Sequence, residues 1–333
     1  MNKKAFEVQF NWIFVLVAGA AILLFFTVVV VKQKNVSETS TKASVLKSIE
    51  AIVTGASVST DTTNIIDMPN SNIEISCGRI SVGGISRQYN NLVLFAPSLV
   101  KGDRLITQTL AFNAPYRATN LLYMTSPQLR YIIIGNSNLA KDINKTLPAE
   151  LRKEFYPSMQ QIQNSNNYKV RFVIFGDMMA FPKSLERMPD SDVTAVRING
   201  DTDKGVLEFW QKNGNSWLAK GSSAYIGKAS LIGAIYTDSL NAYECNIQNT
   251  FLRLNLVTKI YSEKTKKLVQ KLALSSRQAE CSKFYNNALA HLTRISAASS
   301  NFNKENVDDI AETSKLLAGE NKNAQVYSCT LIY

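Results

Sequence analysis

The spacing of apolar and polar residues changes several times along the chain, and the N-terminal part has the simplest pattern. Residues 12–31 are almost wholly apolar and carry no charge, and a helix of about 20 such residues spans the hydrocarbon core of a bilayer. Four apolar residues then recur at helical spacing: Ala43, Leu46, Ile49 and Val53. The pattern predicts that the membrane helix continues as an amphipathic stalk, breaks at Gly55 and leads into a Ser/Thr-rich linker over residues 57–63.

The middle of the chain alternates between strand-like and helical patterns. Strands are predicted over 73–96 with a turn at Gly83-Gly84, 121–125, 130–134, 193–198, 205–210 and 217–226. The Asn213-Gly214 pair predicts a hairpin between the last two. Residues 138–153 have helical spacing, with Pro148 suited to the first turn of a helix. Lys169–Phe175 is typical of a strand buried on both faces of a sheet.

The last third of the chain is predicted to be helical. Helices are expected from about Ser239, over 278–296 and over 307–317, where Asn306 is a candidate N-cap. The predicted fold class is therefore α/β with a mixed sheet, an N-terminal transmembrane helix and a helical C-terminal subdomain. The predicted boundaries are an N-tail (1–11), a transmembrane helix (12–31), a stalk and linker (32–63), a mixed α/β domain (64–237) and a helical subdomain (238–333) that ends in a strand around Cys329.

The flanks of the apolar segment fit an uncleaved membrane anchor better than a signal peptide, which usually has a shorter apolar run and a small-residue cleavage site. Trp12 and Val31 lie at its two ends, and Lys32 and Lys34 follow, where their ammonium groups can reach a membrane surface. The orientation of the C-terminal domain relative to the membrane has two interpretations. The count of flanking lysines favours a cytoplasmic C-terminal domain, whereas a short basic N-tail before an anchor is typical of an exported one.

Composition adds constraints on folding and on partners. The 333 residues include 37 Lys and Arg against 26 Asp and Glu, a net charge of +11, and the 19% charged and 45% hydrophobic fractions are those of a folded protein. The densest basic cluster consists of Lys264, Lys266, Lys267 and Lys271. Such a helix face can bind anionic headgroups, but a solvated surface is commoner. No aromatic-laced motif accompanies it, so nucleic acid is not favoured as a partner.

Four cysteines follow the apolar segment: Cys77, Cys245, Cys281 and Cys329. None forms a CxxC pair, which argues against a zinc site or a thioredoxin-like motif. Two interpretations stay open, namely two disulfides or four buried thiols that act as small apolar side chains. Cys77 and Cys329 lie in strand-like sequence and the other two in helical sequence, so the favoured pairing is Cys77 with Cys329 and Cys245 with Cys281.

The sequence contains no complete catalytic motif. Gly227-Lys228-Ala229-Ser230 resembles part of a phosphate-binding loop, but the preceding Gly221 is one residue too distant and Ala229 cannot bind Mg²⁺, so an ordinary turn is expected. A catalytic triad would need His291, the only histidine of the chain, which lies in a predicted helix without a nucleophile-elbow motif elsewhere.

Asp177 is the single candidate for a ligand site. It follows the strand Lys169–Phe175, and ligands bind at the carboxyl ends of strands in open α/β sheets. Asp201 and Asp203 could join it around a metal or a ribose hydroxyl. Solvated acids in a turn are the commoner explanation, so no catalytic residue, metal or cofactor is assigned.

Two resemblances bear on the anchor. Ala5, Phe6 and Glu7 before a long apolar helix and an amphipathic continuation resemble type IV pilins and related archaeal surface-filament subunits over residues 1–55. Cleavage would then follow Ala5, and Phe10 would stand at the fifth mature position, where pilins typically carry Glu. The runs FEVQFNWIFVLVAGAAILLFF, FAPSLVKGDRL, LLYMTSP and CTLIY together resemble an uncharacterised family of single-pass membrane proteins of small-genome archaea, which implies an anchored protein without implying an activity.

The favoured hypothesis is a membrane-anchored binding, structural or assembly component with its C-terminal domain outside the cell. Its expected partner is the lipid bilayer, and other envelope proteins or further copies of itself are additional candidates. The alternatives are an enzyme with a degenerate Rossmann-like core that uses Asp177, and a pilin-like filament subunit. The enzyme hypothesis predicts a polar pocket at the end of Lys169–Phe175, whereas the structural hypothesis predicts that this edge is filled or covered.

Overall fold

The structure is a computed structural model that describes residues 3–89, 92–158, 162–163, 167–273 and 279–333, with side chains described outside 3–15, 35–39, 56–58, 273 and 279. The side chain of Trp12, which the sequence places at a membrane interface, lies outside the described residues. The chain begins with one long helix, α1 (Lys3–Val58), and continues into two sheets and a group of C-terminal helices.

The first sheet is built from the strands β1 (Thr63–Ser76), β2 (Arg79–Val82), β3 (Ile85–Gln88), β4 (Leu94–Phe95), β5 (Leu99–Asn113) and β6 (Arg117–Thr125). Their order is β3-β2-β1-β5-β6-β4, and the pairs are antiparallel except β4 with β6. Successive residues of a strand face opposite sides of a sheet. Leu122 and Met124 accordingly pack towards α1, whereas Leu121 and Tyr123 belong to the central core.

The second sheet contains β7 (Leu129–Ile134), β8 (Arg152–Tyr156), β9 (Lys169–Phe175), β10 (Val193–Gly200), β11 (Lys204–Asn213) and β12 (Ser216–Ile226), in the order β12-β11-β10-β9-β7-β8. The four strands β8, β7, β9 and β10 are parallel, and β11 and β12 continue as an antiparallel meander. Helix α2 (Asn138–Thr146) connects β7 to β8, and the side chain of Ser137 caps it by accepting a hydrogen bond from the amide of Ala140.

Helix α3 (Gly227–Tyr236) occupies the centre of the molecule, and all its residues from Ala229 to Tyr236 are buried. A helix that is apolar on every side needs protein around it on every side. The central core supplies that environment, since it contains residues of both sheets and of α3, α4 (Leu240–Ala273), α5 (Ala279–Ala298) and α6 (Lys304–Val326). The C-terminal helices therefore share one core with the sheets rather than forming a separate subdomain.

Many of the predicted elements are confirmed. Lys169–Phe175 is β9, with six of its seven residues buried, and it pairs in parallel with β7 and β10. Asn213 and Gly214 lie at the turn between β11 and β12, and Gly83 and Gly84 connect β2 to β3. The α/β class with mixed sheets is confirmed as well.

The predicted linker over residues 57–63 is wrong in its first part, because α1 continues through Gly55 to Val58. A glycine inside a helix costs only about 1 kcal/mol relative to alanine. Burial of Val45, Leu46 and Ile49 against the first sheet offsets that cost. The second half of α1 is thus part of the body and not a free stalk.

The predicted helix over 138–153 is too long, and Pro148 does not start a helical turn. Helix α2 ends at Thr146, and Leu147 has the extended backbone (φ −67°, ψ 136°) that the residue before a proline favours. Lys153 belongs to β8 instead. Helix α6 begins at Lys304, capped by Asn303 rather than Asn306.

The predicted C-terminal strand around Cys329 is absent, because residues 327–333 form turn and irregular structure. The amide of Cys329 donates to the carbonyl of Ala324 at the end of α6, which folds this segment back against the helix. The strands β5 and β8 and the helix α3 were not predicted from the sequence, although β5 pairs with both β1 and β6 at the centre of the first sheet.

We predict that Gly233→Ala destabilises the protein. A Cβ atom at this position of α3 would lie 2.8 to 2.9 Å from three ring atoms of Phe95, and overpacking of a dense core typically costs about 1–3 kcal/mol. Gly319→Ala in α6 is the matched control, because its Cβ would meet no atom within 4 Å and alanine is the better helix former. Denaturant midpoints of the two variants should move in opposite directions, and equal midpoints would contradict the packing described for α3.

Candidate functional site

From Leu16 onwards, the apolar segment of α1 is not covered by the rest of the described protein. The segment Leu16–Lys34 is long and apolar enough to cross a membrane, and none of it is buried within the protein. Side chains such as Leu23 and Phe25 expose 69% and 65% of their surface, and Val31, Lys32 and Lys34 are exposed at its end. The hydroxyl of Thr27 donates to the carbonyl of Leu23 at 2.7 Å, so this polar group has a partner inside the helix, as an apolar environment requires.

The other half of α1 joins this segment to the body without a flexible connection. Val45, Leu46 and Ile49 are almost fully buried against the first sheet, and Glu50 forms an ion pair with Arg87 on β3. Because the helix is continuous from Lys3 to Val58, no loop separates the apolar segment from the part of α1 that packs on the body.

The four cysteines form two disulfides, but not the favoured pairs. Cys77 is bonded to Cys245 with Cα atoms 6.0 Å apart, and Cys281 to Cys329 with Cα atoms 5.8 Å apart. The predicted pairing of Cys77 with Cys329 and Cys245 with Cys281 is wrong, because it assumed that strand pairs with strand and helix with helix. The interpretation as free thiols is also wrong for this structure.

Packing of α4 and α5 explains the observed pairs. Helix α4 lies against the first sheet, where Asn246 accepts a hydrogen bond from the amide of Leu94 at 3.1 Å, and this brings Cys245 to the turn between β1 and β2. The C-terminal segment lies against α5, where the hydroxyl of Tyr285 donates to the carbonyl of Thr330 at 2.8 Å. Each disulfide therefore fastens a helix to a segment that is distant in sequence.

We predict that non-reducing peptide mapping recovers only the Cys77–Cys245 and Cys281–Cys329 pairs. Loss of a native disulfide typically costs about 2–5 kcal/mol, so Cys77→Ser and Cys281→Ser should each lower the thermal midpoint. The variant Ser216→Ala, at an exposed hairpin position, is the control and should leave the midpoint unchanged. Recovery of a Cys77–Cys329 peptide would contradict the structure.

Asp177 does not lie in a pocket. Its carboxylate is fully exposed and reaches Arg197 at 3.4 Å. At the same end of the sheet the backbone of Gly135 packs so closely against Phe175 that an added Cβ atom would lie 2.7 Å from the Phe175 side chain. Within the described residues, no group of three or more His, Cys, Asp or Glu side chains could hold a metal ion, so Asp201 and Asp203 do not join Asp177 in such a site.

The other sequence candidates also have ordinary structural surroundings. Gly227 to Ser230 begin the buried helix α3, and the ammonium of Lys228 pairs with Asp142 at 2.6 Å. His291 is partly buried on α5. The four lysines of the basic cluster lie in the last turns of α4, where Lys266 pairs with Glu263 and Lys264 lies over the ring of Tyr261.

Sequence reasoning missed a pair of buried cations in β9. Lys169 forms a buried ion pair with Asp238, whose carboxylate also accepts hydrogen bonds from the amide and hydroxyl of Ser98, each at 2.9 Å. Burial acts to raise the pKa of Asp238, but Lys169 and Ser98 outweigh it and hold the pKa below its ordinary value. The strand looked apolar in the sequence, and only the tertiary contacts reveal what its two cations bind.

Arg171 is the second buried cation of β9. Its guanidinium donates to the carbonyls of Ala234, at 2.8 Å, and of Ile235 at the C-terminal end of α3, where the helix dipole favours positive charge. It also lies over the ring of Phe209. Burial lowers its pKa to about 10, so it stays cationic at neutral pH and satisfies carbonyls that have no partner within the helix.

We predict that Asp238→Asn strongly destabilises the protein, because it leaves Lys169 buried without a counter-charge, a change that typically costs about 3–5 kcal/mol. The folded-state pKa of Asp238 is depressed, so its contribution to stability is present above the unfolded-state pKa of about 4 and is lost as pH falls through the folded-state value. Unfolding measured between pH 7 and pH 3 should show this loss in the wild type and not in Asp238→Asn. The same pH dependence in both would contradict the assignment.

The largest cavity described is an open groove of about 920 Å³ between the end of α1, strand β6 and helix α4. Its apolar lining residues are Val53, Leu92, Val93, Ala118, Leu122, Leu256, Val257 and Ile260. Its polar lining residues are Thr54, Tyr89, Arg117, Thr119, Asn120 and Arg253. The lining includes two arginines and, among the residues that the structure describes, no acidic side chain. Leu256 and Ile260 remain 55% and 67% exposed, so an apolar wall of the groove faces solvent.

Polar groups hold the far end of this groove in place. The amide of Asn120 donates to the carbonyl of Ser59 at 2.8 Å, and Arg117 donates through Nε to the Asn120 side-chain oxygen at 3.0 Å. The hydroxyl of Tyr89 is buried, and burial followed by the charge of Glu50 raises its pKa. Comparison of the chain with protein-family models, curated proteins and solved structures gave no match. The roles of the groove and of the apolar segment therefore follow from their geometry alone.

Proposed function

We propose that this protein is a single-pass membrane protein whose α/β body lies outside the cytoplasm and serves as a binding, structural or assembly component. The main support for this proposal is the segment Leu16–Lys34, which is apolar, long enough to cross a bilayer and uncovered by the rest of the protein. Exposure of so much apolar surface to water is unfavourable, and a lipid bilayer is the environment that removes it.

The two disulfides support a body outside the cytoplasm. Disulfides persist in oxidising compartments, and the four cysteines are paired in two of them. The positive flank of the helix does not oppose this orientation, because charge-based rules weaken when a long domain follows the anchor.

The rigid link between anchor and body supports a structural or assembly role over that of a tethered enzyme. A flexible linker lets a domain sample many orientations, whereas here α1 itself packs into the body through Val45, Leu46 and Ile49. The side chain of Asp177, on which the enzyme hypothesis rests, is fully exposed, so no enclosed site surrounds it. A fixed orientation above a membrane is of use to a protein that must present one surface to a partner.

A pilin-like filament subunit is the second candidate. It is favoured by the division of α1 into an uncovered apolar half and a half that packs on a largely antiparallel sheet. N-terminal sequencing of the protein from its native membrane separates the two candidates. A first residue of Phe6 supports processing and assembly into filaments, whereas an intact start at Met1 supports a permanent anchor.

We expect the body to be labelled from outside intact cells. Ser216→Cys places a thiol at an exposed hairpin position while the native cysteines stay paired, so a membrane-impermeant maleimide should modify it without lysis. Labelling that requires lysis would contradict the proposed orientation. A permeant maleimide followed by peptide mapping under denaturing conditions should find the native cysteines unmodified.

The anchor itself is tested by a charge within the apolar segment. Leu24→Lys should release the protein from membranes in alkaline carbonate, because a lysine near the bilayer centre costs about 3 kcal/mol on insertion scales. Leu316→Lys on α6, where the side chain is 52% exposed, is the matched control and should remain in the membrane fraction. Release of the wild-type protein by carbonate would contradict the proposal.

A further inference from the structure

We propose that the groove between α1, β6 and α4 binds an anionic single-chain amphiphile, specifically a long-chain carboxylate. The proposal rests on the shape and charge of the groove and does not depend on the side of the membrane on which the body lies.

The volume of the groove is that of a small-molecule site. Small-molecule sites usually measure about 300–1,000 Å³, and the groove measures about 920 Å³. An extended hydrocarbon chain has no polar groups that need hydrogen-bond partners. An apolar surface formed by Val53, Leu122, Leu256 and Ile260 therefore suits such a chain.

The polar lining residues select the charge of the ligand. Arg117 and Arg253 both line the groove, with no acidic side chain among its described lining residues. A guanidinium carries five N–H donors, so an arginine that already has a partner, as Arg117 has in Asn120, can also bind a carboxylate. Charge-assisted hydrogen bonds of this kind are stronger than neutral ones. A long-chain carboxylate presents one anionic group and one apolar tail, and the groove offers a counterpart to each.

The apolar wall of α4 has no explanation in the packing of the body. Leu252, Leu256 and Ile260 lie four residues apart on one side of the helix and expose 47%, 55% and 67% of their surface. Residues with this spacing form a continuous stripe, and the stripe runs along the groove. A tail lying in the groove would cover Leu256 and Ile260 and remove their apolar surface from water.

The test uses the full chain in nanodiscs of phosphatidylcholine with a photoactivatable palmitate analogue as the probe. We expect the adducts to map to groove residues of α4 and β6, and oleate to compete with the probe at concentrations where oleyl alcohol does not. Adducts confined to Leu16–Lys34 would show lipid contact with the anchor only and would overturn the proposal. Equal competition by the alcohol would overturn the role of the two arginines.

Variants on α4 sharpen the test. Arg253→Gln should weaken oleate competition about tenfold, the loss expected when one charge-assisted hydrogen bond is removed. The control is Lys267→Gln, which removes one positive charge outside the groove. It should change oleate competition less than about twofold. Ile260→Glu should abolish labelling of the groove, while Leu316→Glu on α6 should not. Retention of both disulfides and of the wild-type thermal midpoint establishes that each variant is folded. Folded Arg253→Gln and Ile260→Glu variants with wild-type binding would refute the site.

Discussion

The architecture depends on the burial of α3 between the two sheets. A helix without a polar side cannot lie at a surface, so both sheets and the C-terminal helices must close around it. Its C-terminal end would leave carbonyl groups without partners in the core, and Arg171 supplies the missing donors. The guanidinium in turn gains two carbonyl partners at the end of the helix where the dipole favours positive charge.

The same region connects the parts of the chain that carry the proposed activities. Asp238 follows α3 and fixes the start of β9 through Lys169, and α4 begins directly afterwards at Leu240. Helix α4 in turn carries Cys245, which is bonded to the first sheet, and the residues that line the groove. Contacts in the core therefore determine the position of the groove relative to α1. The disulfide Cys77–Cys245 and the packing of α1 on the first sheet connect these elements directly.

Local patterns in the sequence were sufficient for elements that have a strong periodic or turn signal. The apolar helix, the hairpin at Asn213-Gly214 and the buried strand Lys169–Phe175 are examples. Strand β5 was missed because its buried residues include Thr107, Gln108 and Thr109. These polar residues interrupt the apolar pattern by which a central strand is predicted. Helix α3 was missed because a short helix buried on all sides has no amphipathic period.

The candidate site was harder to predict than the fold, for a physical reason. The groove is formed by Val53, Asn120 and Leu256, which lie on three elements and share no sequence pattern. The disulfide pairs were mispredicted for the same reason, because the position of α4 on the first sheet depends on tertiary contacts that no local sequence pattern shows. Asp177, in contrast, stood out in the sequence through its place after a strand, but its carboxylate is fully exposed beside Arg197.

The packing of the last residues bears on the order in which the molecule can be completed during synthesis. Ile332 is fully buried, and the ring of Tyr333 lies 5.3 Å from that of Tyr116 at the start of the first sheet's β6 and 6.0 Å from that of Tyr261. Contacts between such distant residues form late, because a long loop must close first. The core therefore completes its packing only after these residues have been synthesised. Until then, apolar residues that Ile332 and Tyr333 cover in the folded protein stay exposed, and such surface favours aggregation.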